Sequence, residues 1–106
     1  MQSAETKAYN LKTLGTTIIP VPANPTGKLI LKGIVINTKG ASSNTLAIYD
    51  SNETLGANVE LKKGTIDTTV LPGTFEYEDL LFTNGIYIVC ASGTAPDVTV
   101  LYAPAV

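Results

Sequence analysis

"GIYIVCASGTAPDVTVLY", Gly85 to Tyr102, sets two short apolar runs around a polar connection. Ile86 to Ala91 reads as one strand, Ser92 to Pro96 as the crossing, and Asp97 to Tyr102 as the returning strand of a hairpin. Val98, Val100 and Tyr102 then face one layer, Thr99 and Leu101 the other. Gly85 frees the Asn84-Gly85 turn before it, Cys90 serves as small buried filler, and Pro96 fixes the exit of the loop. The segment is therefore architectural in character, and the same writing continues on its N-terminal side.

"TLGTTIIPVP" from Thr13 supplies β-branched residues up to Pro20 and Pro22, which give no ladder donors and end or expose the strand. "ANPTG" is a turn, and "KLILKGIVINT", Lys28 to Thr38, is the longest strand candidate, with Gly33 at a bulge or close backbone approach. "KGASSN" is a second turn. "TLAIYD" follows with Leu46 and Ile48 on one face, Ala47 and Tyr49 on the other. "VELKKGTIDTTVLPG" reads as two short strands bent at Gly64 or one bulged strand, with room for no more than a helical turn near Glu53 to Leu55. "TFEYEDLLF" alternates Phe75 and Tyr77 with Glu76 and Glu78. Seven or eight short strands with turn signals every 8 to 12 residues describe an all-β fold with no substantial helix. A single β-sandwich, jelly-roll-like or Greek-key, is expected over residues 13–106. Residues 1–12, polar and weakly periodic, are expected as a flexible N-terminal arm or short edge segment.

Several strands are apolar on both faces. In "LILKGIVI" Leu29, Leu31 and Val35 oppose Ile30, Ile34 and Ile36; in "IYIVC" Ile86, Ile88 and Cys90 oppose Tyr87 and Val89. One covered face per strand suffices for a monomeric sandwich. The surplus calls for subunit packing or for a shift of phase at Gly33.

Composition narrows the chemistry. The 106 residues include seven Lys, nine acidic groups, no Arg and no His, for a net charge of -2. Nucleic-acid binding lacks its concentrated positive surface, and an anionic membrane surface finds no basic patch. Without His there is no Ser-His-Asp triad, Cys-His pair or His-containing zinc site. One Cys excludes iron-sulfur and four-cysteine zinc sites, and the start "MQSAETKAYNLK" has no apolar core of a signal peptide. "NPTGK" lacks the glycines and the Ser or Thr of a phosphate loop, so it reads as an Asn-Pro turn.

Carboxylates remain. Glu76 and Glu78, with Asp79 beside them, stand at a spacing that suits glycoside hydrolysis in principle, and equally the charged side of an edge strand. Asp50, Asn52 and Glu53 in "YDSNE" group oxygens as a calcium site would, without the twelve-residue loop pattern. Lys62 and Lys63 read as a solvated tip. No catalytic, cofactor or metal residue is assigned, and no cofactor is expected. Tyr49, Tyr77, Tyr87, Thr94 and Pro96 are the candidates for ligand or interface contacts. A carbohydrate- or receptor-binding module would use the turns "KGASSN" and "ASGTAPD" and an exposed aromatic platform, for which Tyr49, Tyr77 or Tyr87 are the candidates.

At "GASSNTLAIYDS", "IDTTVLPGTFEY" and "FTNGIYIVCASGTAPDVTVLY" the chain resembles small tailed-phage virion structural proteins of the head decoration or head fibre type, over about Leu29 to Tyr102. The resemblance implies a β-sandwich subunit in the virion, assembled in the host cytoplasm as a homo-oligomer with a trimer favoured. Its further partner would be the major capsid or another virion protein, with no nucleic acid and no membrane involved. It implies no catalytic residue. A polar arm and two-faced apolar strands suit a subunit stabilised by assembly.

Overall fold

In the computed structural model, residues 5–22, 27–70 and 72–105 are described. Eight strands follow in order: β1 Lys7–Leu11, β2 Gly15–Pro20, β3 Leu29–Thr38, β4 Thr45–Asp50, β5 Lys62–Asp67, β6 Gly73–Phe82, β7 Gly85–Ala91 and β8 Asp97–Pro104. A 3-10 turn, Val59–Leu61, precedes β5; Asn58 caps it by accepting from the Glu60 N–H. The expected turn near Glu53 to Leu55 also forms, with Asn52 Oδ1 accepting from the Leu55 N–H at 2.9 Å.

The strands build two antiparallel sheets, a first of order β1-β8-β3-β6 and a second of order β2-β7-β4-β5. β1 pairs with β8, β2 with β7, β3 with β6 and β4 with β5. That nesting of outer around inner strands is the jelly-roll form of the sandwich, two interlocked Greek keys. It corrects the reading of residues 85–102: β7 belongs to the second sheet and β8 to the first, so 92–96 crosses between layers instead of closing a hairpin. The Asn84-Gly85 step likewise turns the chain from β6 of one sheet into β7 of the other. A short polar connection serves either geometry, and only the pairing partners distinguish them.

The N-terminal boundary also moves. Lys7–Leu11 forms an edge strand on β8, so of the two readings of residues 1–12 this part takes the short edge segment, and the sandwich begins before residue 13. Leu11, 2% exposed, enters the core and anchors this strand. Residues 1–4, the Ala23 to Thr26 part of the "ANPTG" turn, and Leu71 lie outside the described residues.

The two-faced appearance of β3 is in part a shift of phase, while Ile30 is buried outside the core cluster. The register against both β6 and β8 slips between Leu31 and Gly33, so Leu29, Leu31, Ile34 and Ile36 all enter one core. On β6 the slip takes in residues 77–79, with Asp79 at φ 50. A Cβ on Gly33 would stand 3.0 Å from the Phe75 carbonyl oxygen, which is why the position carries no side chain. In β7 the alternation is clean: Ile86, Ile88 and Cys90 are buried in the core, while Tyr87 and Val89 are half-buried outside it. Full burial of side chains such as Phe82 and Ile88 contributes about 2 kcal/mol each.

Candidate functional site

At one end of the sandwich the loops 39–44, 68–70 and 92–96 converge on the Asn44 amide. Asn44, 0% exposed, donates from Nδ2 to the Ser92 carbonyl at 2.9 Å and the Ala91 carbonyl at 3.3 Å. Its Oδ1 accepts from Thr68 Oγ1 at 2.6 Å, and Cys90 Sγ lies 3.5 Å from its Nδ2. Ala41 and Thr94 exchange two backbone hydrogen bonds, of 3.1 and 3.0 Å. Gly40 is packed so tightly that a Cβ would meet Thr68 Oγ1 at 2.5 Å. Thr94 is thus exposed in its side chain but fixed in its backbone, and Pro96 is buried rather than presented.

At the opposite end a carboxylate does comparable work. Asp50, 8% exposed, accepts from the Thr83 N–H at 3.0 and 3.1 Å, from Thr83 Oγ1 at 3.1 Å and from the Asn84 N–H at 2.7 Å. Asn84 Nδ2 returns a bond to the Asp50 carbonyl at 3.2 Å, and Ser51 donates to the Gly56 carbonyl. These bonds fix the corner between β6 and β7. The oxygens grouped in "YDSNE" therefore serve different tasks: Asp50 holds the corner, Asn52 caps the next turn and Glu53 is exposed. Among the described residues no three His, Cys, Asp or Glu side chains converge as a metal site would require.

Outside the second sheet, the strand register sets Ile18, Tyr87, Tyr49 and Lys62 in one row across β2, β7, β4 and β5. Tyr49 and Tyr87 meet edge to face with ring centroids 5.9 Å apart, and Lys62 Nζ lies 5.7 Å from the centroid of Tyr49. The lysine covers the ring that would otherwise be open, and Tyr49 is 9% exposed. Tyr77 is on the other sheet, half-buried against the core, and burial raises its phenol pKa above the ordinary value. Tyr49 is therefore buried and Tyr77 and Tyr87 half-buried, so none of the three candidates is openly presented. Beside the Ile18 end of the row lies a shallow cleft of about 440 Å³, lined by Ile18, Pro20, Val21, Asn52, Glu53 and Asn84.

The acidic strand β6 is an edge, as its charge suggests. Glu76 and Glu78 are exposed and separated by the bulge, while Asp79 forms an ion pair with Lys32 at 2.8 Å. Two further carboxylates are tied locally. Asp67 is held below the ordinary pKa by hydrogen bonds from the side chain and backbone of Thr69. Asp97 is held below it chiefly by the bond from Asn10, with smaller help from Asn37 and Lys12. Asn44 and Thr68 are functional in holding the corner yet were not singled out by the sequence. The available signal was an Asn closing the turn "KGASSN" immediately before a strand.

No protein-family model matches the chain, and no curated protein matches it in sequence. Its fold is similar to that of a solved structure described as "Bacillus endospore appendages form a novel family of disulfide-linked pili". The similarity has a TM-score of 0.51 at 13% identity and covers 95% of this chain and 87% of that one.

Proposed function

We propose that the chain is a virion structural subunit, a small oligomeric protein that decorates a capsid or sits at the head or tail of a phage and acts by assembly rather than catalysis. The observation that carries the reading is the nested strand order β1-β8-β3-β6 over β2-β7-β4-β5, the jelly-roll architecture on which viral capsid domains are built. It is an argument from fold, to which the site adds weight. Asn44, Asp50, Ser51 and Thr68, the buried polar side chains among the described residues, spend their hydrogen bonds on the molecule's own corners. The pilus structure with a similar fold is itself a building block of a larger assembly by its description, and one described as disulfide-linked. Here the single Cys90 is buried on β7 at 2% exposure, so assembly of this chain rests on non-covalent contacts.

The same architecture also serves lectins. A glycan-binding reading has the cleft beside Asn52, Glu53 and Asn84 in its favour, but the stacking platform it needs is occupied by Lys62 over Tyr49. A glycan array with the Glu53→Gln exchange tests it: recognition lost in the variant supports binding, and an empty array removes it. For the leading reading, sedimentation velocity of the purified chain should give a closed oligomer of three times the chain mass. Antibody-gold labelling should decorate virions of the phage that encodes it. A monomer that leaves particles unlabelled would sink the proposal.

A further inference from the structure

Charge is distributed unevenly between the two sheets. The strands of the first carry Lys7, Lys32, Glu76, Glu78, Asp79 and Asp97. Those of the second carry Asp50, buried at its corner, and otherwise only Lys62, Lys63 and Asp67, all on β5. The outer face formed by β2, β7 and β4 therefore holds no exposed charge.

Strand register orders this face into three rows. The first is Ile18, Tyr87, Tyr49 and Lys62, the second Thr16, Val89, Ala47 and Thr65, and the third Ala91, Thr45 and Asp67. All lie away from the core, because the alternate residues Ile88, Cys90, Leu46, Ile48 and Ile66 belong to it. The irregularity on β5 between the partners of Ile48 and Tyr49 keeps Lys62 on the outer face, over the Tyr49 ring. The first row is thus bulky and ends on a cation, whereas the third is small and ends on an anion.

Such a face is its own complement. A two-fold axis along the middle row sets the first row of one copy over the third row of the other. Tyr87 then lies over Ala91, Tyr49 over Thr45 and Lys62 over Asp67, each twice by symmetry. The two sheets meet with strands nearly aligned, the arrangement in which sheets pack about 10 Å apart. An axis parallel to the strands would instead lay β2 over β5 and leave Lys62 and Asp67 without partners of opposite charge.

We propose that the outer face of the second sheet binds the same face of a second copy through this two-fold contact. It goes beyond the trimer proposed above: a two-fold contact does not close a ring of three, so it joins subunits of neighbouring oligomers. Three rows on four strands cover about 20 by 20 Å, half of the roughly 800 Å² per partner in a stable interface. One contact is therefore weak in dilute solution and gains strength where oligomers are held side by side on a particle.

Zero-length carbodiimide coupling of the full chain tests it, on an equal mixture of unlabelled and isotope-labelled protein at millimolar concentration. Within one chain Lys62 and Asp67 stand about 15 Å apart along β5, too far for such a link. An amide between them must therefore join two chains and appear as a mixed-isotope peptide pair. Sedimentation equilibrium in the same range reads the strength of the contact, with far-UV circular dichroism confirming the fold of each variant. Lys62→Glu should weaken the pairing of oligomers about tenfold, and Lys62→Glu with Asp67→Lys on one chain should restore it. Ala47→Glu sets two carboxylates against each other on the axis and should cost at least as much. A closed trimer that gives no mixed link and is indifferent to these changes overturns the contact and leaves the trimer standing. A mixed link on a chain that forms no trimer does the opposite.

Discussion

The ends of the sandwich and the lateral edges of its first sheet use their side chains in opposite ways. At the ends, Asn44, Thr68 and Asp50 are buried and aim their polar atoms inward at backbone and neighbouring side chains. Along the edges, Tyr9, Phe75, Glu76 and Glu78 are exposed. Jelly-roll strands change sheet at almost every connection, and each change leaves backbone groups without a ladder partner. Buried side chains must satisfy those groups. The edges need no such closure to keep the monomer folded, so their residues are free to act between molecules. The comparison predicts that end substitutions cost stability without touching association, and that edge substitutions do the reverse.

The largest effect is expected at Asn44. Replacing it by Ala strands the Ala91 and Ser92 carbonyls and the Thr68 hydroxyl in a buried corner. The expected loss is about 3 kcal/mol, a fall in Tm of roughly 15 °C by thermal circular dichroism. Unchanged Tm would mean that the corner is held by other means. Asp50→Asn keeps the shape but removes the charge that accepts from Thr83 and Asn84. Chemical denaturation should show a smaller loss, about 1.5 kcal/mol. Neither change should alter subunit association when folded protein is compared.

The surface ion pair comes next. Lys32 and Asp79 are 29% and 49% exposed in their side chains, so Lys32→Met should shift the denaturation midpoint by less than about 0.5 kcal/mol. A loss of several times that size would show that the β6 bulge depends on the pair.

The smallest effect sharpens the comparison through pH. The Asn10 amide of β1 donates to Asp97 at 2.7 Å, and this bond is the main cause of the lowered pKa of Asp97. A carboxyl whose folded pKa lies below its unfolded value contributes stability that is complete above the unfolded value. That stability is lost as pH falls through the folded one. Below about pH 4, therefore, β1 should loosen from β8 while the second sheet holds, which amide hydrogen exchange of Ala8 to Leu11 would register. Equal exchange at pH 3 and pH 6, after correction for intrinsic rates, would count against this latch.

Much of the fold was legible in the sequence because burial leaves a period of two, and a break in that period, in the strands themselves. β7 and β8 sit where residues 85–102 place them, and the phase shift at Gly33 brings Leu29, Leu31, Ile34 and Ile36 of β3 into one core. What the sequence does not carry is the partner of each strand. A five-residue polar connection such as 92–96 joins hairpin neighbours or opposite sheets with equal ease. β1 was hidden because Lys7, Ala8, Tyr9 and Asn10 show no buried face, and only Leu11 marks it as part of the core. The candidate site was less legible still. Tyr49 and Tyr87 look like a platform until strand register brings Lys62 over the ring, and Asn44 resembles an ordinary turn residue until three loops converge on it.

The most direct measurement of the central claim, that this chain works by joining copies of itself into a larger structure, is sedimentation velocity over a range of concentrations from micromolar upward. The account predicts a concentration-dependent approach to a single closed species of three chain masses in the wild type. A wild-type protein that sediments as one chain throughout the range contradicts it.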